Sequence, residues 1–311
     1  MTGTPFPIDP VLTGVALAHK NAAMVADRVL PFASAPIDKS EFKWNKFDFD
    51  EAITVDSDGR VGRKSAPDEV EYGMTEATAS TEDFGFDDLV PIDDVTNAPK
   101  GFDPLSFATE MLTDRVLLVR EKRVAGMVFD PATYPAANKL TLSGTSQWSD
   151  PDSDPAAAIG DAADSMVTRP NCMVIGRGGW SKLRRHPKLL KATSISGTDQ
   201  GALSLAQAQD ALEIPEIIVG EGWINLQRRG QAPVRQRVWG NHAALFYRAP
   251  SIAPNGRVMT FGWTQAFGTR VAGQIPEPKN GLRGSIRVRS GHSVKELISA
   301  PEAGFLFTDV A

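Results

Sequence analysis

The stretch that decides the fold is residues 102–127, FDPLSFATEMLTDRVLLVREKRVAGM. Asp103 is a favourable N-cap because its carboxylate can accept from free backbone N–H groups, and Pro104 suits the first helical turn. Apolar side chains then recur on one face, at Leu105, Ala108, Leu112, Val116 and Val119. The pattern predicts one helix over 104–127 with a length of roughly 36 Å, a structural spine for the chain.

The residues before this helix do not have the pattern of a compact domain. Residues 11–30 carry a modest helical periodicity that Pro31 ends. Residues 45–85 are polar and β-prone around the turn DSDG at 56–59, which predicts a long two-stranded excursion. An isolated hairpin is only marginally stable in water, so about a quarter of the chain must pack on the rest of the same chain or on a neighbouring copy. We expect the opening ninety or so residues to hold their shape by packing on adjoining molecules.

An alternating α/β pattern follows the spine after a loop rich in Pro, Ser, Gly and Asp at 130–154. It predicts a sheet flanked by helices. The expected elements are a helix from Asp154–Pro155 to about Thr168, a strand at 172–175, helices at 180–191 and 204–214, and strands at 216–220 and within 234–249. The tail at 284–310 is expected to form strands that pack on the spine.

Bulk composition limits the class of protein. A chain of 311 residues with 41% hydrophobic and 23% charged residues is an ordinary folded protein with two or more lobes. No stretch approaches the length of apolar sequence that a membrane span needs, and the N-terminus has no secretion signal. The single cysteine, Cys172, cannot form an internal disulfide and fits folding in a reducing compartment.

Charge is distributed unevenly along the chain. The net charge of −5 argues against a surface that binds nucleic acid all over. Residues 65–99 contain ten carboxylates and no Lys or Arg, whereas residues 228–295 contain twelve Lys and Arg and one acid, Glu277. These segments are either solvated surfaces or partners that pair within the fold or between copies, and the charge pattern does not decide between these.

Two motifs resemble ligand sites but have simpler explanations. VIGRGGW at 174–180 lacks the last glycine of a dinucleotide fingerprint, where Ser181 stands, so a tight strand-to-helix turn is favoured. Asp150, Asp152 and Asp154 have calcium-loop spacing, but Pro155 occupies the position that requires glycine. Helix capping and solvation explain these acids.

Other reactive side chains form no catalytic pattern either. Cys172 lies in an apolar strand, which favours packing over nucleophilic chemistry. The four histidines have no metal-ligand spacing. A run of cations is interpreted as the wet face of a helix, namely Lys182, Arg184, Arg185, Lys188 and Lys191. We therefore predict no enzyme, no cofactor and no metal site.

Several segments, in this order, resemble the major capsid proteins of tailed bacteriophages. The resemblance to the N-terminal arm is carried by DPVLTGVALAHKNAAMVADRVLP, to the extended loop by GRVGRKSAPDEVEY, and to the spine helix by FDPLSFATEMLTDRV. The resemblance to the entry of the axial domain is carried by LSGTSQWSDPDSDPAAAI, and the resemblance to its strand, turn and helix by MVIGRGGWSKLRRHPKLLK. The segment RVRSGHSVKELISAPEAGFLF resembles the closing strands of the peripheral domain. Together they cover nearly the whole chain.

The resemblance implies an α+β, Hong Kong 97-like capsid fold. Its parts would be an N-terminal arm at 1–40, an extended β-hairpin loop at 41–90, a peripheral domain with the long spine helix at 91–148 and 265–311, and an α/β axial domain at 149–264. The implied intersubunit contact residues are Trp44, Arg60, Arg63, Lys64, Glu69 and Glu71.

The resemblance also implies the partners. In such an assembly we expect the acidic residues of 65–99 on one subunit to pair with basic residues of 228–295 on a neighbour. The subunit would assemble with itself into homo-pentamers and homo-hexamers of an icosahedral shell in the virion, formed in the host bacterial cytoplasm and enclosing double-stranded DNA through non-specific contacts. A portal is implied, and the lack of a long N-terminal scaffolding segment points to a separate scaffolding protein. The alternatives are the shell of an encapsulin-like nanocompartment, an α/β nucleotide-binding enzyme that uses the GRGG turn, and a tail or other virion protein.

Overall fold

The computed structural model describes residues 6–46, 53–54, 59–66, 75–193, 201–228, 230–253 and 258–311. Within these ranges the helices are α1 Pro10–Ala18, α2 Ala26–Val29, α3 Ile92–Thr96, α4 Pro104–Val128, α5 Pro155–Ser165, α6 Arg177–Leu183, α7 Pro187–Thr193 and α8 Leu205–Leu212. The strands are β1 Glu41–Lys46, β2 Thr75–Ser80, β3 Glu82–Pro91, β4 Lys139–Thr141, β5 Cys172–Gly176, β6 Glu216–Gly220, β7 Trp223–Asn225, β8 Arg235–Arg237, β9 Ala243–Phe246, β10 Gly262–Glu277, β11 Ser285–Ile298 and β12 Gly304–Thr308.

Helix α4 confirms the predicted spine almost residue for residue. The Asp103 carboxylate accepts from the backbone N–H groups of Leu105 and Ser106, which satisfies donors that the first turn leaves free. Its buried apolar face packs on the antiparallel sheet β10-β11-β3. The spine and this sheet form the first of two layered units.

The second unit is the predicted sheet flanked by helices. Its strand order is β4-β12-β9-β5-β6, with β5 and β6 parallel and β9 antiparallel to both β5 and β12. Helices α5 to α8 bury their apolar sides against it in a core that includes Trp148, Met173, Leu183 and Phe307. Helix α5 ends at Ser165, three residues before the predicted end.

The expectation that the whole C-terminal tail packs on the spine is wrong for its last strand. Strand β11 packs on α4, but β12 inserts into the second sheet between β4 and β9. All five β12 residues, GFLFT, are buried. A strand buried on both faces needs a continuous apolar run, which suits a central position in a covered sheet. The domain division itself stays a prediction.

The N-terminal arm is not the single helix that residues 11–30 suggest. Helix α1 ends at Ala18, and α2 begins only at Ala26. The chain between them is tied to the spine, because His19 Nε2 and Asn21 Nδ2 lie 2.8 and 3.2 Å from Asp114 Oδ1. Helix α1 thus ends where the chain contacts the spine, although the local periodicity continues.

The arm also packs on its own chain, contrary to our expectation that it is shaped by adjoining molecules. Leu12 and Ala16 lie in a cluster with Leu112 of the spine and Val288 of β11. A second set of arm residues is buried beside the C-terminal half of the spine, namely Val25, Ala26, Val29 and Leu30. The arm has no separate hydrophobic core and instead packs into the core of the same subunit.

Strands β1 and β2 form the base of the predicted excursion. They pair antiparallel, from Glu41 opposite Ser80 to Lys46 opposite Thr75. Strand β2 leads through Thr81 directly into β3. In the part of the chain that the structure describes, no helix is long and apolar enough to cross a lipid bilayer.

Candidate assembly site

A buried carboxylate holds the arm on the spine. Glu121 of α4 accepts the backbone N–H of Val25 at 3.0 Å and of Ala26 at 2.7 Å, and it accepts the indole N–H of Trp239. Burial raises the pKa of the Glu121 carboxyl, and these donors oppose the shift. Glu121 thus serves as the N-terminal cap that α2 lacks in its own sequence.

The preceding residue joins the arm to the first sheet. The Arg120 guanidinium donates to the carbonyl of Leu30 at 3.0 Å and to the Thr264 hydroxyl at 2.9 Å. It also pairs with Asp27 and lies over the Phe32 ring at 4.3 Å. Burial lowers the pKa of Arg120 to about 10, so the group remains charged at neutral pH.

Glu296 of β11 completes this buried cluster. Its carboxylate lies 2.8 Å from Arg123 and 3.6 Å from Arg120, both on the spine. Arg123 also stacks on the Phe84 ring of β3 at 3.5 Å. Spine, arm and sheet therefore meet at one set of charges.

This cluster was missed at the sequence level, where the helix was predicted from its cap and its apolar positions and the charges at 120–123 were given no role. The available signal was spacing, because Val116, Arg120 and Val124 follow each other at four-residue intervals on the buried face. A charge on that face requires a partner, since burying an unpaired ion is costly.

The acidic segment at 65–99 and the basic segment at 228–295 form ion pairs within one chain. For these residues, the expectation that the two segments pair between copies is wrong. The ion pairs join β3 and α3 to β11 and the loop before it: Glu82–Lys295 at 2.6 Å, Asp87–Arg289 at 2.7 Å and Asp93–Arg283 at 2.9 Å. The antiparallel register is the cause, because it sets Asp87 directly opposite Arg289. The arginines and the lysine lower the pKa values of the Asp87 and Glu82 carboxyls.

An acidic groove lies at the N-terminal end of the spine. Its volume is about 410 Å³, and its lining includes Asp88, Leu89, Asp94, Phe102 and Phe107. Phe102 and Phe107 are 48% and 49% exposed and their ring centroids lie 5.6 Å apart, so they form a contiguous apolar surface. Among the residues that the structure describes, Asp88 and Asp94 form no ion pair. The groove combines an uncovered apolar floor with unneutralised carboxylates.

The predicted intersubunit contact residues fall into three groups. Trp44 is 6% exposed and packs against Ala249, Ile252, Trp263 and Leu297 of its own chain, so it anchors the base of the loop. Arg60, Arg63 and Lys64 are exposed. Glu69 and Glu71 lie outside the described residues.

Arg63 and Lys64 occupy the two central positions of a turn. The Ser65 backbone N–H donates to the Gly62 carbonyl at 3.2 Å, and the Gly62 N–H donates to the Ser65 hydroxyl at 2.8 Å. We name residues 62–65 the cationic turn. Neither cation forms an ion pair with any residue that the structure describes.

The ligand-like motifs have structural roles. A Cβ on Gly176 would lie 2.1 Å from the Gly240 carbonyl oxygen, so the glycine turn is packed against its own chain. Burial raises the pKa of the Cys172 thiol to about 12, which keeps it protonated. Asp154 caps α5, and no group of metal-binding side chains occurs among the described residues.

Comparisons with known proteins identify the family. The model of the family "Phage major capsid protein E" matches residues 132–264. The major capsid protein of Pseudomonas phage JBD67 is 49% identical over 307 residues, which are 99% of this chain and 98% of that protein. The major capsid protein of Burkholderia phage BcepMu is 27% identical over 219 residues, which are 69% of each.

The fold agrees with solved structures. A crystal structure of a phage-related protein from Bordetella bronchiseptica superimposes with a TM-score of 0.75 at 22% identity and covers 99% of both chains. The mixed architecture is thus the predicted α+β, Hong Kong 97-like capsid fold. The encapsulin alternative is less supported, because the sequence relatives are phage capsid proteins. The chain belongs to the phage major capsid proteins and is therefore a structural component of the virion and not an enzyme.

Proposed function

We propose that this subunit assembles with copies of itself into pentamers and hexamers, and that these tile an icosahedral head around double-stranded DNA. Its proposed parts are those of the sequence analysis, with β4 and β12 contributing to the axial sheet: arm 1–40, extended loop 41–90, peripheral domain 91–148 and 265–311, and axial domain 149–264. In this arrangement the loop crosses from its own subunit to a neighbouring one.

The exposure of the loop supports this proposal most directly. Every described residue from 53 to 66 is exposed, including Ile53 at 58% and Val61 at 46%. The base of the loop is fixed by Trp44, so the exposed part starts from a defined place. Two strands without a core gain stability only by packing on something else, and a second copy offers a repeated surface for it.

The other proposed partners follow from the family resemblance. They are a separate scaffolding protein, a portal and the packaged DNA, which the shell would contact without sequence preference. We propose that assembly takes place in the cytoplasm of the host bacterium. Each exposed ion pair contributes only about 0–1 kcal/mol. Because a shell repeats each contact in many copies, such weak contacts together still stabilise the assembly.

Deleting residues 55–75 tests the role of the loop. We expect folded, soluble subunits that form no shells, since the spine and both sheets keep their own cores. Arg63→Glu should act in the same direction with a smaller effect. Circular dichroism would check folding, and sedimentation with negative-stain microscopy would count shells.

A matched control distinguishes the effect of reversing a charge in the loop from that of reversing a charge elsewhere on the surface. Arg185→Glu reverses an exposed arginine after α6 in the second unit and should leave shell yield unchanged. Normal shells from the deletion variant would contradict the proposed role of the loop.

A further inference from the structure

We propose that the acidic groove of one subunit receives the cationic turn of a neighbouring copy. The inference rests on the proposed function, in which the loop reaches a neighbour, and it adds the place where the loop binds. The two surfaces belong to different parts of the same chain. Their contact would therefore be heterologous, the kind of contact that closes into rings.

The cationic turn has a shape suited to insertion. Three hydrogen bonds between Gly62 and Ser65 fix the backbone, so little conformational entropy is lost when the turn binds. Arg63 and Lys64 stand at the corners, and the exposed Val61 precedes them. The turn thus presents two cations beside one apolar side chain.

The acidic groove has the complementary chemistry. Its floor of Leu89, Phe102 and Phe107 would cover Val61 and the methylene stems of the cations. Asp88 and Asp94 line the same groove and could pair with Arg63 and Lys64. Its volume of about 410 Å³ lies in the range of clefts that bind small ligands, about 300–1,000 Å³.

Chain length allows the turn to reach another subunit. Residues 47–74 connect β1 to β2. A chain that runs out and back over this length spans up to about 45 Å, at roughly 3.3 Å per residue. That distance exceeds the radius of a domain of this size, so the groove of a neighbour is within range.

Charge reversal in the full-length protein tests the pairing. The groove variant Asp88→Lys with Asp94→Lys should reduce shell yield at least ten-fold, and so should the turn variant Arg63→Glu with Lys64→Glu. A chain that carries all four substitutions should recover shells to within about two-fold of the unmodified protein, because the attraction is restored with reversed signs. Circular dichroism and thermal unfolding of each soluble variant would verify that the subunits fold.

The outcomes separate this inference from the proposed function. Normal shells from the groove variant would overturn the docking site, while failure of the turn variant alone would still support a loop that contacts a neighbour. Loss of shells in both variants without recovery in the combined chain would also overturn it, because the groove would then face a different cation or a different partner. The control Asp161→Lys with Asp164→Lys, on the exposed side of α5, should assemble normally.

Discussion

The N-terminal arm and the extended loop both lack a core, yet they are held in different ways. The arm is bonded along its length to the spine, through Asp114, Arg120 and Glu121. The loop is anchored at its base, where Trp44 fills an apolar pocket. Beyond this base, the described residues of the loop are exposed.

The difference shows how one chain can fix one extension along its length and anchor another at its base while its outer residues stay exposed. Directional bonds to charged side chains of the spine specify a single position for the arm, whereas an apolar anchor specifies only where the loop begins. We infer that the arm belongs to the folded subunit and that the outer loop gains further contacts, with neighbouring copies, during assembly. Changes to the two anchors should therefore have separable effects.

Glu121→Ala should have the largest effect on the subunit. The substitution leaves the N–H groups of Val25, Ala26 and Trp239 buried without an acceptor. We expect a loss of about 4–5 kcal/mol in the free energy of unfolding, as for one partner removed from a buried charged network. Urea unfolding would measure it, and limited proteolysis should cut the arm.

Glu110→Ala is the matched control for that variant. Glu110 lies on the same helix with its side chain exposed, so the loss should stay within about 0.5 kcal/mol. An equal loss in both variants would mean that removal of any glutamate from this helix, and not the loss of the arm bonds, accounts for the effect. The difference between them isolates the anchor.

Trp44→Ala should affect the loop and leave the arm in place. Removing a buried tryptophan costs about 3–4 kcal/mol, and here the cost falls on the β1–β2 hairpin. Amide hydrogen exchange should accelerate in residues 75–80, while residues 26–29 stay protected. Glu41→Ala, on the exposed face of the same strand, should leave both regions unchanged. Faster exchange in the arm would show that the two anchors are coupled.

The sequence predicted those elements whose signals are local. The spine followed from Asp103, Pro104 and apolar spacing, all within one segment. The residues after β5 were predicted to form a structural turn and not a nucleotide site, because their glycines do not complete a phosphate-binding pattern. Exposure of Arg63 and Lys64 agreed with a polar, turn-rich segment.

Long-range placement could not be predicted in the same way. The pairing of Asp87 with Arg289 depends on strand register across about two hundred residues, which composition does not specify. The break between α1 and α2 depends on Asp114, far along the chain. The acidic groove likewise combines residues of β3, α3 and α4 that meet only after the sheet has formed.

The smallest predicted effect is a pH dependence of the arm contact. His292 of β11 lies beside the Phe32 ring of the arm, with centroids 5.4 Å apart, and burial with the nearby Arg270 and Arg120 lowers its pKa to about 4. In the unfolded chain the His292 imidazole has a pKa near 6.5 and binds a proton more readily than in the folded protein. The free energy of unfolding therefore decreases as pH falls from about 6.5 to 4. We expect a loss of about 2–3 kcal/mol, and His292→Gln should remove most of it. The pKa of His242 is also lowered by burial, so a small slope should remain. Urea unfolding of both proteins at pH 7, 5.5 and 4.5 would measure this, and parallel curves would rule out His292 as the cause.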